Sequence, residues 1–179
     1  MCIILITSIL SACSRTQNEE QIMKHVREGL PIQESWDVTY LYSDSGKITA
    51  RLEAPYLIEV KNTEHPEQTE LEMNRGVKLT IMNKVSGAED SKLTAKYAKI
   101  NQQTGIAEAR DSVVVVNNEG AKLETEQLFW NRDQDQIKTD KFVKITTRDE
   151  ILFGEGMIAN SGFNTYKIFK IRGTLSIKE

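Results

Sequence analysis

The 179-residue chain holds only two histidines, two cysteines and three prolines, and each scarcity closes off a class of chemistry. His25 and His65 are too far apart to form a pair at metal-ligand spacing. Neither histidine has the neighbours of a nucleophilic triad, and no G-x-S-x-G or phosphate-loop pattern is present. Gly154-Glu155-Gly156 lacks the third glycine and the following helix of a dinucleotide site. It reads instead as strand-interior glycine that lets the backbone bend or approach a neighbour closely. Asp133 and Asp135 flank Gln134, but the stretch has no glycine and Ile137 stands where a calcium loop would place its next oxygen ligand. A hairpin turn fits those residues better. Glu124 and Glu126 fall on the outward phase of a strand rich in Lys and Glu, so they read as a solvated face and not as the paired carboxylates of a glycan-cleaving enzyme. The expectation is a protein that is not an enzyme and carries neither cofactor nor metal.

Charge is equally unspecialised. Twenty-three Lys and Arg against 26 Asp and Glu leave a net −3 with no long block of one sign, which argues against a nucleic-acid partner and against a basic membrane patch. The opening "MCIILITSILSAC" is shorter than the roughly 20 apolar residues needed to span a bilayer. Both cysteines, Cys2 and Cys13, lie within it, so no disulfide can form downstream. Leu10-Ser11-Ala12-Cys13 resembles the lipobox of a bacterial lipoprotein signal, although no Lys or Arg precedes Arg15. The resemblance implies cleavage before Cys13 and acylation of that residue. Each buried acyl methylene gains about 0.8 kcal/mol, so several chains on Cys13 would make a stable membrane anchor. The expected organisation is a signal peptide over 1–12, an acylated cysteine and polar tether over 13–34, and a β domain over 35–179 held on a membrane outside the cytoplasm.

What the chain has in abundance is alternation. Trp36, Val38, Tyr40 and Tyr42 alternate with polar residues, "DSG" turns the chain, and Ile48, Ala50, Leu52 and Ala54 alternate again. Pro55 interrupts this ladder, and Tyr56, Ile58 and Val60 are expected to resume it. Lys61 to Arg75 reads as a polar loop, followed by a strand with Val77, Leu79 and Ile81 inward. An all-β domain of ten to thirteen short strands is expected.

A period of about 30 residues underlies the second half. "LTAKYAKINQQTGIAEARDSVVV" aligns with "LETEQLFWNRDQDQIKTDKFVKI", placing Leu93 on Leu123, Ala98 on Leu128, Ile100 on Trp130, Ala107 on Ile137, Val113 on Val143 and Val115 on Ile145. From Ala95 to Ala98, and from Thr125 to Leu128, the alternation steps by three instead of two, which predicts a bulge at the same place in both units. A fainter third unit starts at Leu152. Several inward columns carry small residues, among them Ala95, Ala109 and Thr139, where a tight sandwich would want larger ones.

Leu123-x-Thr125-Glu126-x-Leu128-x-Trp130, then Asp135-x-Ile137-x-Thr139-Asp140-x-x-Val143-x-Ile145 and Leu152-x-Gly154-x-Gly156, resembles the LptC family of lipopolysaccharide-export proteins. The likeness runs from about Trp36 to Leu175. It implies a twisted β-jellyroll, open along one seam, that receives lipopolysaccharide from an inner-membrane ABC transporter and passes it to an LptA-like periplasmic bridge protein. The acyl chains would lie in an apolar groove lined by Leu93, Ala95, Ala98, Ile100, Ala107, Ala109, Val113, Val115, Leu123, Leu128, Trp130, Ile137, Val143 and Ile145. The strand edge at Trp36, Val38 and Tyr40 would face the transporter, and the edge at Tyr166, Ile168 and Ile171 the bridge. Family members commonly anchor by a transmembrane helix, whereas this chain offers Cys13. The competing readings are a soluble LptA-like bridge protein and a structural envelope lipoprotein whose roll is packed shut.

Overall fold

A computed structural model describes residues 31–173; Cys13, the signal reading and the tether reading up to residue 30 lie outside the described residues, and the first strand starts at Gln33, inside the stretch read as tether. Eleven strands account for all the regular structure among those residues, and no helix occurs there. They are β1 (Gln33–Asp44), β2 (Lys47–Lys61), β3 (Thr69–Met73), β4 (Val77–Met82), β5 (Glu89–Ala95), β6 (Tyr97–Asn101), β7 (Ile106–Asn117), β8 (Lys122–Asn131), β9 (Gln136–Thr146), β10 (Ile151–Asn160) and β11 (Tyr166–Ile168).

All pairs are antiparallel and belong to one sheet. The order is simpler than eleven strands suggest. β3 and β4 lie end to end along β2, with Ile58 to Lys61 pairing β3 and Ala50 to Glu53 pairing β4. β5 and β6 then lie end to end along β4 and β3, and the long β7 pairs with both. The chain is thus a meander in which each full-length strand bonds the next in sequence, so short turns suffice throughout.

Every full-length strand from β2 to β10 breaks at the same height. The interior residues flanking the break are Ala54 and Leu57, Met73 and Val77, Ala95 and Ala98, Ala109 and Val113, Thr125 and Leu128, Thr139 and Val143, and Gly154 and Met157. The steps run three, four, three, four, three, four, three, so neighbouring strands always differ by one residue at the break. Register shifts at Arg110/Val113, Thr125/Phe129 and Glu155/Met157 record that surplus directly. A surplus residue on one strand of a pair bends the ladder and tightens its twist. Left-handed backbone at Asp37 (φ 50), Gly76 (φ 96), Asp111 (φ 65), Ser112 (φ 58) and Gly156 (φ 80) marks the same line.

These breaks form a crease that folds the sheet into two leaves around one apolar core, giving the β-jellyroll. One leaf holds β4, β5 and the adjoining halves of the long strands; the other holds β3, β6, β11 and the remaining halves. The turns at the far ends of the two leaves face each other along a seam opposite the crease. On the outside, cross-strand ion pairs such as Lys78 with Glu53 (2.9 Å) and Lys144 with Glu124 (3.4 Å) are solvated. Such pairs contribute at most about 1 kcal/mol each.

Two local expectations change. The polar stretch Lys61 to Arg75 contains β3, where Leu71 and Met73 are buried. After Pro55 the inward phase falls on Leu57, not on Tyr56 and Ile58, because the crease inserts an odd step at that point. The break expected between Ala95 and Ala98 separates β5 from β6, and the one expected between Thr125 and Leu128 is a register shift within β8.

Candidate functional site

The inner face is continuous across both leaves. Leu93, Ala95, Ala98, Ile100, Ala109, Val113, Val115, Leu123, Leu128, Trp130, Ile137, Val143 and Ile145 belong to one buried cluster, and Ala107 packs against it half-buried. Strict alternation brings them together, since every second side chain of a strand points to the same face. The cluster also takes Met157 of the fainter third unit and residues outside the repeats, among them Leu52, Leu57, Met73, Leu79 and Phe163. Alternation in the sequence already marks Leu52 and Leu79. Phe163 sits in a turn, where no periodicity applies.

The small inward residues occupy a definite place. Ala54, Ala95, Ala98, Ala109, Thr125, Thr139 and Gly154 all flank the crease, where the leaves converge. Thr125 and Thr139 meet their polar needs locally: the Thr125 hydroxyl donates to the Phe142 carbonyl oxygen at 2.9 Å, and Thr139 Oγ1 accepts from the Lys141 amide at 3.1 Å. Gly154 and Gly156 serve the same line from β10. A side chain at Gly154 would overlap Ile168 Cγ2 and come within 3.0 Å of the Phe169 carbonyl oxygen, so only glycine admits the returning chain there.

At rest the core is closed. Leu123, Val143, Ile145 and Met157 have no measurable exposure. Open space lies at the margins instead. A cleft of about 700 Å³ occupies the seam, with Tyr42, Asp44, Lys84, Arg132, Asp133 and Asp135 among its walls. Arg132 lies over the Tyr42 ring at 5.7 Å, and burial raises the Tyr42 pKa, a shift that the Arg132 charge partly offsets. A second space of about 480 Å³ opens at the crease, where Val38, Ala54, Val77 and Ala95 reach it from inside. The seam is polar at its lip and apolar behind it, the arrangement expected of a site that holds an amphiphile.

The two sheet margins differ. β1 pairs only with β2, so its other edge is unpaired among the described residues. Trp36 is 61% exposed there and packs on Tyr56 at 5.6 Å, with Arg75 over the Tyr56 ring at 4.4 Å. Val38 packs against the core, and Tyr40, paired with Leu52, lies on the same face but is 37% exposed at the strand edge. At the other margin β11 is three residues long, and the chain after it bends at Lys170 (φ 46) and continues in the same direction along β10. The Phe169 amide donates to the Gly156 carbonyl oxygen at 2.9 Å and the Arg172 amide to that of Phe153 at 2.8 Å. Tyr166 and Ile168 pack against the core while Ile171 is exposed.

Among the described residues there is no cluster of three His, Cys, Asp or Glu side chains that could hold a metal ion. His65 is exposed beside Glu67. No helix among the described residues is long and apolar enough to cross a membrane.

Comparison with known proteins bears on this roll directly. A search of curated proteins finds no match. A protein-family model described as "Lipopolysaccharide-assembly, LptC-related" matches residues 2–173, which takes in the whole described roll and most of the segment before it. With that match added to the creased antiparallel roll and its apolar interior, the chain belongs to the LptC family.

Proposed function

We propose that this protein binds the acyl chains of lipopolysaccharide between the two leaves of its roll, on the way from an inner-membrane ABC transporter to a periplasmic bridge protein. Family membership carries the role in lipopolysaccharide transport. The observation that supports the groove is the unbroken apolar inner face bordered by a polar seam. Acyl chains would lie among Leu93, Val115, Leu128, Ile137 and Val143, with the sugars leaving through the seam. Because the core is packed at rest, loading would require the leaves to part. Removing apolar chains from water at about 25 cal/mol per Å² supplies the driving force for that exchange. No covalent step is needed, and energy for transport would come from the transporter.

The β1 edge around Trp36, Val38 and Tyr40 suits strand addition by the transporter's own periplasmic domain, since its outer backbone donors and acceptors have no partner among the described residues. The opposite margin at Tyr166, Ile168 and Ile171 would face the bridge. Acylation at Cys13 would hold the roll on the membrane, inner membrane preferred. The mass of the membrane-extracted protein tests this, because a chain without acyl groups would favour the soluble bridge reading.

The groove is tested by in-cell photocrosslinking with the reactive residue at Leu128 or Ile137 inside and at Lys138 outside, followed by blotting for lipopolysaccharide. Adducts at the inner positions alone are expected. A folded, membrane-bound protein that gives no adduct at any position would replace this reading with a closed structural roll.

A further inference from the structure

We infer that the β10–β11 turn, Ser161 to Asn164, is a latch across the seam, and that Phe163 holds the place an acyl chain takes when the roll is loaded; this rests on the groove reading above. The turn belongs to one leaf and is fastened to the other. The Ser91 hydroxyl, at the start of β5, donates to the Ser161 carbonyl oxygen at 2.9 Å. The Asn117 side-chain amide, at the end of β7, donates to the Phe163 carbonyl oxygen at 3.0 Å. The Asn164 amide reaches Asp90 Oδ1 at 3.2 Å, and Gly162 sits so close to the Asp90 carboxylate that any side chain there would overlap it.

The fastening differs in kind from the rest of the core. Between these segments the links are hydrogen bonds of side chains and carbonyls, which water or a lipid's polar region can replace. The one large apolar group is Phe163, fully buried, stacked on Tyr166 at 5.3 Å, and held in left-handed backbone (φ 55) that a phenylalanine rarely adopts. A bulky residue stays in such a conformation only where its surroundings over-determine it. Open space flanks the turn on both sides. Ser161 and Gly162 border the cleft of about 700 Å³, and Phe163 and Asn164 border another of about 500 Å³ lined by Asn117 and Tyr166. The turn is therefore a bar across one continuous slot, and lifting it joins the two spaces and vacates the site of an aromatic ring inside the apolar face.

The test is to make the latch switchable. Asp90→Cys with Gly162→Cys places two thiols where a Cβ at 162 would lie about 3.0 Å from the Asp90 Cγ position, within disulfide reach. Full-length protein carrying the photoreactive residue at Ile137 is purified in detergent and exposed to lipopolysaccharide, oxidised or reduced. Oxidation should cut adduct yield by about tenfold relative to the same protein reduced, since only the unlatched fraction can bind. Each single cysteine variant should be indifferent to oxidation, and the thermal transition of the oxidised protein should show that it is folded. Equal yields in both redox states, with binding intact, overturn the latch and leave the groove reading standing. No adduct in the unmodified protein overturns both. In parallel, Ser91→Ala with Asn164→Ala should speed adduct formation about threefold by raising the open fraction, and an unchanged rate counts against the latch.

Discussion

The Trp130 indole N–H donates a 2.8 Å hydrogen bond to Ser161 Oγ, and both residues are buried. The bond ties the end of β8 to the turn beyond β10 and fixes the ring at the inner edge of the seam. Trp130→Phe keeps most of the apolar area and removes the bond. It should lower unfolding free energy by about 0.5–1.5 kcal/mol in a denaturant titration. A loss several times larger would mean that the ring's packing, not the bond, is what matters there.

Gly154→Val forces a side chain into Ile168 and toward the Phe169 carbonyl oxygen. Overpacking of this kind costs about 1–3 kcal/mol. The strain falls on the segment that continues from β11 along β10, so amide exchange should accelerate at Phe169 and Arg172, whose N–H groups bond to Gly156 and Phe153. Amides of β4 and β5, on the far side of the sheet, should keep their protection.

Acid should weaken the fold modestly. A hydrogen bond from a neighbouring lysine lowers the carboxyl pKa of three glutamates: Lys78 acts on Glu53, Lys92 on Glu89 and Lys122 on Glu124. Their unfolded counterparts take up protons first, near the ordinary glutamate value of about 4.3. The stabilisation is therefore present above that pH and is lost as pH falls through the lower folded values. The melting temperature should hold level from neutral pH down to about 5 and decline below about 4.5. A variant with all three changed to Gln should show a shallower decline.

Trp36→Lys tests the β1 margin. The ring is mostly exposed, so its contacts with Tyr56 contribute little to folding, and the melting temperature should move by no more than an exposed substitution does, about 0.5 kcal/mol in equivalent stability. If β1 is the docking margin as proposed, co-purification of the transporter should nevertheless fall sharply, because an aromatic group is lost there and a charge is placed in its stead. Full recovery of the transporter with the variant would move the docking surface elsewhere.

The inner face was legible because each of its residues follows a period of two. Leu123, Val143 and Ile145 could be read as inward from their neighbours alone, and they are among the most buried residues. β3 was hidden because Leu71 and Met73 are interleaved with Glu70 and Glu72 within a polar stretch. Glu70 is buried nonetheless, its carboxylate accepting from the Asn62 amide at 2.6 Å and pairing with Lys99 at 3.3 Å. The inward phase beyond Pro55 was misjudged because a crease resets the parity of a strand. Two of its seven breaks showed as steps of three; the steps of four in β7 and β9 preserve parity and leave no mark on an alternation pattern. Phe163 had no signal at all, since its burial depends on Asp90, Ser91 and Asn117 meeting a turn 46 to 74 residues away.

The alternation of long and short steps along the crease has a geometric consequence. A surplus residue offsets one strand against its neighbour, and the next strand, lacking it, cancels the offset. Misfit therefore never accumulates from β2 to β10, and the inward columns of neighbouring strands meet again on both sides of the crease. Adding one residue to a single strand at this height would propagate, since every ladder beyond it would inherit an uncancelled slip that turns its inward side chains outward.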